Sequence, residues 1–388
     1  MQNDQFGFAG MNMKYKLKDI FDLQMGKTPS RNHTEYWNTK EHKWISIADL
    51  TKTGKYISET KECLSDCAID DSGIKVIPAN TVVMSFKLSI GKTAITAEDM
   101  YSNEAIMAFH DKHVAEILPE YIYYMFKYKN WDEGSNKAVM GKTLNKATLS
   151  EVEIDICSLE EQREIVKVLD KMMTVLGSRE TELSLLDDLI KARFVEMFGD
   201  PYVNPLKWKK LKIKDAVTIE PQNGLYKPQS DYVTDGTGIP ILRIDGFYDG
   251  MVTDFASLKR LKCSETERQR YLLLEDDIVI NRVNSIEYLG KCAHIKELLE
   301  DTVYESNMMR MHFDPEYYNP VYICKLLCSQ FIYDQIVNHA KKSVNQASIN
   351  QKDVLDFNIY QPPLDLQNEF ADFVHQVNKS KVVVSNIS

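Results

Sequence analysis

The chain repeats its own order of residues over about 200 positions, and this duplication constrains the fold more than any other feature. Residues 142–149, KTLNKATL, return as residues 342–349, KSVNQASI. Five further landmarks recur in the same order. In the first half they are Gln24 and Gly26, Gly91 and Lys92, Ser102 and Asn103, Pro119 and Ile122, and Gln162. Their counterparts in the second half are Gln222 and Gly224, Gly290 and Lys291, Ser306 and Asn307, Pro320 and Ile323, and Gln367. Solenoid repeats have periods of ~20–50 residues, so this spacing predicts a duplicated domain. Two similar domains can present two similar surfaces to a target that itself has two parts.

Composition sets the broad class. A chain of 388 residues is long enough for about two to three domains with their own cores. Its net charge of −10 weighs against nonspecific coating of nucleic acid but permits specific DNA binding through local basic patches. The sequence has no apolar run of ~18 residues and no secretory signal pattern, so we expect a cytoplasmic protein without a membrane span.

The seven cysteines do not form a recognisable framework. Cys63 and Cys67 are four residues apart, as are Cys324 and Cys328, but neither pair has a second pair or histidines at zinc spacing. We therefore predict reduced, mostly buried thiols and no metal site. The helix that starts near Pro320 is expected to place Cys324 and Cys328 on one face.

Short strands dominate each half of the sequence. Predicted strands are residues 44–48, 76–77, 81–86, 93–96 and 105–109 in the first half, and 239–244, 277–280 and 308–313 in the second. Pro119 and Pro320 each open a helix, because proline suits the first helical turn. Each half is therefore predicted to be an α+β domain.

A long helix is predicted between the two halves, over residues 159–198. Ser158 and Glu161 form a capping-box pattern before it, and Gly199 with Pro201 follows it as a stop signal. Its apolar residues follow the 4-3-4 spacing of a coiled-coil seam: Ile165, Leu169, Met172, Leu176, Leu183, Leu186, Ile190 and Met197. Two further seam positions, Arg179 and Arg193, hold charges that destabilise a seam but can fix its register.

Forty helical residues would extend ~60 Å, and an isolated helix with such a stripe needs a partner. The second half ends in a similar pattern, with Phe370, Phe373, Val377 and Val384 in its seam. We therefore predict two α+β domains joined by long helices that form an antiparallel coiled-coil spacer. Packing of the long helix on one globular domain is the alternative. Antiparallel pairing would relate the repeats by a pseudo-two-fold axis, which matches the two-fold-related surfaces of B-DNA.

Four short motifs extend this pattern to a known family. They are residues 26–30 (GKTPS), 159–165 (LEEQREI), 198–201 (FGDP) and 362–367 (PPLDLQ). Together with the internal repeat, they resemble the specificity (S) subunits of type I restriction-modification systems over nearly the whole chain.

The resemblance implies a non-catalytic DNA-recognition subunit. It implies target recognition domains at residues 1–157 and 202–361, a central helical spacer at 158–201 and a distal helical region at 362–388. Each recognition domain would read one half of a bipartite sequence in double-stranded DNA. The implied protein partners are methyltransferase (M) subunits, which would bind S-adenosylmethionine, and a restriction and translocase (R) subunit. No cofactor is expected on this chain itself.

The distal helix, about residues 366–388, is shorter than that of many family members. Three interpretations stay open, namely a truncated chain, a product of gene rearrangement, and a subunit completed by another chain.

Catalytic motifs are missing from the sequence. Residues 204–206 and 319–321 begin Asn-Pro but lack the second proline and the aromatic residue of an amino-methyltransferase motif, and no GxxxxGK[ST] loop for ATP occurs. The acidic pairs 70–71 and 276–277 are interpreted as solvated turn carboxylates. Two other function classes remain as alternatives: a divergent methyltransferase or nuclease, and a coiled-coil protein whose globular ends bind protein.

DNA readout requires Arg or Lys for guanine and Asn or Gln for adenine, with further polar groups on phosphates. The first-domain candidates are Lys27, Thr28, Ser30, Arg31, Lys87, Lys137, Lys142 and Asn145. The second-domain candidates are Tyr226, Lys227, Arg243, Arg282, Asn284, Lys341, Lys342 and Gln346.

For each candidate, a solvated surface charge or a turn residue is the competing interpretation. Gly26 and Gly224 are predicted to let the backbone approach a phosphate closely, whereas Asn145 and Asn345 recur in both repeats and fit turn caps as well as readout. Residues that differ between the halves are the better specificity candidates. Arg243 against Ile47 and Asn284 against Leu88 illustrate this logic.

Overall fold

The structure is a computed structural model that describes residues 13–37, 39–87, 89–131, 145–344 and 346–386. Its internal contacts divide the chain into two compact units that meet between Gly177 and Ser178. This boundary falls inside the longest helix, and each unit is described below by itself.

The first unit contains ten strands and the first helices. Its strands are β1 (Met13–Lys16), β2 (Phe21–Met25), β3 (His42–Ile45), β4 (Tyr56–Ile57), β5 (Glu62–Leu64), β6 (Val82–Ser85), β7 (Thr93–Thr96), β8 (Tyr101–Ser102), β9 (Ile106–Asp111) and β10 (Glu153–Ile156). Its helices are α1 (Leu17–Ile20), α2 (Ile47–Lys52), α3 (Asp66–Ser72), α4 (Pro119–Tyr128), α5 (Lys146–Ser150) and the start of α6 (Leu159–Phe198).

The second unit repeats this order with additions. Its strands are β11 (Lys209–Lys212), β12 (Val217–Asn223), β13 (Tyr232–Val233), β14 (Ile239–Leu242), β15 (Phe247–Tyr248), β16 (Gly250–Val252), β17 (Arg260–Leu261), β18 (Ile278–Asn281), β19 (Val283–Asn284), β20 (Cys292–His294), β21 (Val303–Tyr304), β22 (Met308–Phe313), β23 (Lys341–Lys342), β24 (Ala347–Ser348) and β25 (Asn358–Gln361). Its helices, after the end of α6, are α7 (Glu265–Tyr271), α8 (Pro320–Leu327), α9 (Gln330–His339), α10 (Gln351–Leu355) and α11 (Leu364–Asn386).

Sheet topology confirms the duplication. The main sheet of the first unit has the order β2-β9-β6-β7-β4, and the second unit has β12-β22-β18-β20-β16 with β15 added at the edge. The pairs β4·β7 and β16·β20 are both parallel, and their neighbours in these sheets are antiparallel. A smaller sheet, β5-β3-β8, corresponds to β17-β14-β21, and the pair β1·β10 corresponds to β11·β25. Both domains are therefore α+β, as predicted.

Most predicted elements are confirmed, and the clearest error lies at residues 44–48. The strand β3 ends at Ile45, because Ser46 caps the helix α2. The Asp49 N–H donates to Ser46 Oγ at 3.3 Å, and the Ser46 N–H donates to Asp49 Oδ2 at 2.8 Å. Ile47 belongs to the helix, so the alternating pattern crossed a strand-to-helix junction. Residues 76–77 form no strand, and Ile77 makes only an isolated bridge with Met100.

A buried glutamine fixes the start of α6 and of α11 in the same way. Gln162 Nε2 donates to the carbonyls of Glu116 and Cys157 at 2.8 and 2.9 Å, and Gln162 Oε1 accepts from the Leu118 N–H at 2.9 Å. Gln367 makes the equivalent three bonds to Tyr317, Pro362 and Asn319. Because both side chains are fully buried, the recurring glutamine serves the fold of each domain rather than ligand binding.

In the second unit, the end of α6 packs along α11. Arg193 Nη2 lies 3.0 Å from Glu369 Oε1, and Asp187 forms an ion pair with Lys381. The earlier residue of α6 thus meets the later residue of α11, so the two helices run antiparallel. The shared core contains Ile190, Phe194, Met197, Phe198, Phe370, Ala371, Val374 and Val377, with Leu186 and Phe373 at its edge. The predicted antiparallel pairing therefore exists here, with Arg193 bound across it.

In the first unit, the start of α6 packs on the globular core instead. Leu169 lies against the same cluster as Phe126, and Asp170 Oδ1 accepts bonds from Lys55 Nζ and Tyr124 Oη, both at 2.5 Å. Met172 and Leu176 are 55% and 40% exposed. The end of α6 therefore pairs with another helix, as predicted, and its start packs on a globular domain, as the alternative proposes. Ile165 and Leu183 are partly buried.

Among the helices that the structure describes, none has the length and apolarity needed to cross a bilayer.

Candidate nucleic-acid interface

The repeated glycines lie where two loops cross at the end of the main sheet. A Cβ on Gly26 would stand 2.2 Å from the Asn103 carbonyl oxygen, and one on Gly224 would stand 2.3 Å from that of Glu305. The next residues make matching bonds, from the Lys27 N–H to Ser102 O and from the Leu225 N–H to Tyr304 O, both at 2.8 Å. The glycines are therefore required by the protein's own backbone. The approach of a phosphate to these loops stays a prediction.

This crossing also corrects the alignment of the repeats. Since Gly26 faces residues 102–103 and Gly224 faces residues 304–305, Ser102 corresponds to Tyr304 rather than to Ser306. The Asn103 N–H donates to Ile45 O, and the Glu305 N–H donates to Leu242 O. Arg243 therefore corresponds to Ser46, one residue away from the predicted Ile47. The pairing of β6 and β18 supports the match of Asn284 with Leu88, although Leu88 lies outside the described residues.

Five second-domain candidates come together on one small sheet, which has the order β19-β24-β23. These ribbon residues are Arg282, Asn284, Lys341, Lys342 and Gln346. In this sheet Asn284 pairs with Ala347, and Lys342 pairs with the same Ala347 from the other side. The first unit has no corresponding sheet in the part of the chain that the structure describes. A narrow antiparallel ribbon of this kind is one of the elements that fit the major groove of DNA.

The ribbon is joined to the loop that follows Gly224. Arg282 Nη1 donates to the Ser306 carbonyl at 3.1 Å, and the Ser306 N–H donates to Leu225 O at 2.9 Å. This chain of bonds places Tyr226, which is 77% exposed, beside the same surface. Tyr226 therefore extends the ribbon residues into one surface with an aromatic side chain free to stack.

The ribbon carries cations that are available to a ligand. Lys341 and Lys342 are both exposed, and neither belongs to an ion pair within the described ranges. In contrast, Lys227 lies 2.9 Å from Glu267 Oε1. The hydrogen bond from the Ser264 N–H and the nearby Lys227 ammonium lower the pKa of Glu267 to about 2. Lys227 is thus held by the protein and is a weaker candidate for contact than the two ribbon lysines.

Arg243 is also held by acidic neighbours. Its Nε lies 3.6 Å from Asp245 Oδ1 and 4.0 Å from Glu305 Oε2. Glu305 accepts the Ile244 N–H at 2.7 Å, and burial raises the pKa of its carboxyl. The carboxylate therefore ties the loop after β14 to the crossing loop, with Arg243 at their junction.

The first-domain candidates cluster around the corresponding crossing. Thr28 Oγ1 donates to Glu104 Oε2; this hydrogen bond and the charges of Lys87 and Arg31 lower the pKa of that carboxyl. The guanidinium of Arg31 lies 3.7 Å from the centroid of Trp37 and also binds Glu62. Arg31 is therefore largely committed to its own domain.

The other first-domain candidates differ in exposure and in role. Lys27 and Ser30 are exposed, and Lys27 Nζ donates to the carbonyl of Ser72. Lys137 and Lys142 lie outside the described residues. Asn145 is a helix cap, because its Oδ1 accepts from the Thr148 N–H at 2.9 Å before α5. The residue with the same role before α10 is Asn350, not Asn345, and Asn345 is also outside the described ranges.

The prediction that Asp277 is a solvated turn carboxylate is wrong. Asp277 is fully buried rather than solvated, with Oδ2 3.0 Å from Arg310 Nη1 and Oδ1 3.1 Å from His312 Nδ1. Its neighbour Asp276 is exposed and lies 2.8 Å from His294. Strand periodicity would place Arg310 and His312 on one face of β22, but only the pairing with β18 brings Asp277 to them.

The comparisons with known proteins agree with this architecture. Residues 11–183 and 205–384 both match the type I restriction modification DNA specificity domain, so the chain belongs to this family. It is 27% identical over 269 residues to the MjaIX specificity subunit of Methanocaldococcus jannaschii, and 26% identical over 286 residues to the EcoKI specificity subunit of Escherichia coli. These alignments cover 64% and 67% of this chain but only 61% and 60% of the two relatives.

Solved structures show the same fold. The S subunit of a type I system from M. genitalium matches with a TM-score of 0.51 and 14% identity, covering 98% of this chain and 93% of that one. A chain from a study of complex assembly and conformational transition of the type I R-M system matches with a TM-score of 0.55 and 15% identity, at the same coverage. The chain thus shares its fold with these S-subunit structures as well as its two family domains with the specificity subunits.

Proposed function

We propose that this chain reads a bipartite DNA sequence and delivers it to methyltransferase subunits, without catalysing methylation itself. The observation that carries this proposal is the ribbon, where the exposed Lys341, Lys342 and Gln346 and the half-buried Arg282 and Asn284 lie on or next to one small sheet. The first unit has the same crossing of loops, which supports a second DNA-reading surface beside it. Two related domains would then read two half-sites.

The residues of the ribbon suit different parts of DNA. Lys341 and Lys342 are exposed on the edge strand β23, and flexible ammonium groups of this kind suit phosphates. Arg282 and Asn284 are partly buried and held by the Ser306 carbonyl and the Ser285 N–H. Side chains that are held in place are suited to bases, with Arg for guanine and Asn for adenine.

The two half-sites would differ, because the domains differ at equivalent positions. Arg282 corresponds to Phe86, since their N–H groups bind the equivalent carbonyls of Asn307 and Ala105 at 2.8 and 3.0 Å. Arg243 corresponds to Ser46, and Asn284 to Leu88. The backbone arrangement is thus shared while the residues at equivalent positions differ, with the buried Phe86 in place of the half-buried Arg282. Such differences are expected of two modules with separate targets.

Apolar residues on α6 support docking of methyltransferase subunits. In the first unit Val168, Met172 and Leu176 are exposed along the helix, and in the second unit Leu185 and Leu189 are exposed. Exposed apolar side chains grouped on an element often mark a protein interface. On this proposal S-adenosylmethionine and the catalytic groups belong to the M subunits, and a restriction subunit completes the assembly.

The role of the ribbon can be tested by charge removal with a matched control. We expect the double variant Lys341→Ala and Lys342→Ala, purified with its M subunit, to bind DNA more weakly at every sequence. Because two phosphate contacts would be lost, the slope of log K against log salt should fall by about 1.8. Lys209→Ala with Lys210→Ala removes the same charge from exposed positions on β11 and should leave the slope unchanged.

An equal effect of both double variants would show that only net charge matters, and no effect of the ribbon variant would remove the ribbon from the interface. A separate test addresses base readout. Asn284→Leu, which installs the first-domain residue, should alter the methylated sequence at one position of one half-site. A change in neither half-site, with methylation retained, would contradict readout by Asn284.

A further inference from the structure

Three cysteine sulfurs meet inside the second unit, although they are distant in sequence. Cys292 begins β20, Cys324 lies on α8 and Cys328 follows that helix directly. The Sγ atoms of Cys292 and Cys328 are 3.3 Å apart, and all three sulfurs lie within 4.8 Å of one another. The sequence placed Cys324 and Cys328 on one face, but only the packing of α8 against β20 adds Cys292.

The cluster combines two buried cysteines with one exposed cysteine. Cys292 and Cys324 are buried, whereas Cys328 is exposed and lines a cavity of about 770 Å³. Gly250, with φ +84°, lies against the cluster, and a Cβ added there would stand 3.1 Å from Cys324 Sγ. The Gly250 carbonyl oxygen lies 3.5 Å from the same sulfur. A small ion can therefore reach the cluster from the cavity at Cys328.

The first unit has different residues at the positions equivalent to the three cysteines. In the first unit β7 and α4 correspond to β20 and α8, and the equivalent positions hold Thr93, Tyr123 and Lys127. There Lys127 Nζ donates to Tyr123 Oη at 2.9 Å. The equivalent strand and helix thus carry different residue types in the two domains, with three cysteines in the second domain and none at these positions in the first.

The spacing of the sulfurs suits a metal ion. Zinc binds thiolates at about 2.3 Å in tetrahedral geometry, which separates neighbouring sulfurs by about 3.8 Å. The sulfurs of Cys292 and Cys328 are 3.3 Å apart and all three lie within 4.8 Å of one another, a range that includes this value. Lys325, whose ammonium donates to the Asp249 carbonyl at 2.8 Å, lies beside Gly250 and would offset the negative charge of three thiolates.

We propose that Cys292, Cys324 and Cys328 bind one thiophilic d¹⁰ metal ion, with Zn²⁺ completed by a water from the cavity. Binding converts three thiols to three thiolates and releases their protons to solvent, and the ion keeps its oxidation state. The ion links β20 to α8, the helix that packs against α11, and so stabilises this part of the second unit. Cu⁺ belongs to the same class of ions, and three thiolates complete its coordination without a water.

The first test is a metal titration of the full chain, reduced and freed of metal with a chelator. We expect one Zn²⁺ per chain by native mass spectrometry, and protection of the exposed Cys328 thiol from alkylation when zinc is bound. A parallel anaerobic titration with Cu⁺ distinguishes the two ions, since binding of Cu⁺ without Zn²⁺ identifies a three-coordinate site. Substitution with Co²⁺ should give sulfur-to-cobalt charge-transfer bands if the thiolates are the ligands.

Variants separate the cluster from other cysteines. Cys328→Ser removes the exposed ligand and should weaken zinc binding at least tenfold without disturbing the core. Cys292→Ser should do the same, and Cys67→Ser, an exposed cysteine of the first unit, is the matched control and should bind as the parent does. Thermal unfolding of the parent should shift upward with zinc, and that of Cys328→Ser should not.

Two results would overturn the proposal. The first is the absence of stoichiometric binding of either ion by the reduced parent chain. The second is equal binding by the parent and by Cys328→Ser, which would place the metal elsewhere.

Discussion

The buried carboxylate of Asp277 offers a sharp test of how the second domain is held together. Its Oδ2 accepts bonds from Arg310 Nη1 at 3.0 Å and from the Leu274 N–H at 2.8 Å, and its side chain is fully buried. The first domain lacks this arrangement, because the positions equivalent to Asp277 and Arg310 are Thr81 and Ala108. The natural perturbation is therefore to install the first domain's residues.

The expected magnitude follows from the burial of both partners. Asp277→Thr leaves the guanidinium of Arg310, which is 9% exposed, without its counter-charge. Breaking a buried pair by removing one partner destabilises a protein by about 3–5 kcal/mol. The double variant Asp277→Thr with Arg310→Ala removes the unpaired charge as well. We expect it to be more stable than Asp277→Thr alone, with a coupling of about 1–3 kcal/mol.

Urea unfolding resolved by unit is the suitable assay. Of the four tryptophans, only Trp208 lies in the second unit, where its Nε1 donates to the Phe198 carbonyl at 2.9 Å. Fluorine NMR of a 5-fluorotryptophan-labelled chain would follow that unit through one resonance. Asp301→Ala serves as the control, because its ion pair with Arg268 is exposed and should contribute no more than about 1 kcal/mol.

Two outcomes would refute this reasoning. Asp277→Thr could lose less than about 1 kcal/mol, which would mean that solvent reaches the pair and screens it. Alternatively, the effects of the two substitutions could simply add, which would mean that Asp277 and Arg310 do not stabilise each other.

Three further predictions concern other features of the fold. Gly26→Ala should destabilise the first unit by about 1–3 kcal/mol in urea unfolding, because its Cβ meets backbone, whereas Gly54→Ala meets nothing within 4 Å and should be neutral or slightly stabilising. Gln367→Ala leaves buried backbone groups without partners and should lower the unfolding free energy of the second unit by about 1–3 kcal/mol in the same assay. Met172→Glu should change stability by less than about 0.5 kcal/mol but reduce co-purification of the M subunit, because that side chain is exposed on α6.

Much of the architecture could be predicted because it rests on local patterns. The helix bounds 159–198 follow from a cap, a seam and a glycine stop, and the helices at Pro119 and Pro320 follow from proline at the first turn. The duplication was visible because the positions it preserves, such as Gln162 and Gln367, make the same buried hydrogen bonds in both domains.

What the sequence could not provide depends on contacts between distant segments. At Gly26 the sequence shows that space is needed, but it does not show that the backbone of residues 102–103 takes up that space. Asp277 was interpreted as solvated because its partners lie more than thirty residues away, on β22. The sequence could not show that the ribbon residues share a sheet, because each strand of that sheet is only two residues long and shows no periodicity.

The central claim is that two domains of one chain read two different half-sites. The most direct measurement is methylome sequencing of a host without restriction that expresses this chain with its M subunit. We expect a bipartite methylated motif that requires this chain, and replacement of residues 206–361 by another recognition domain should change one half of that motif alone. A change in both halves, or methylation that does not depend on the chain, would contradict the account.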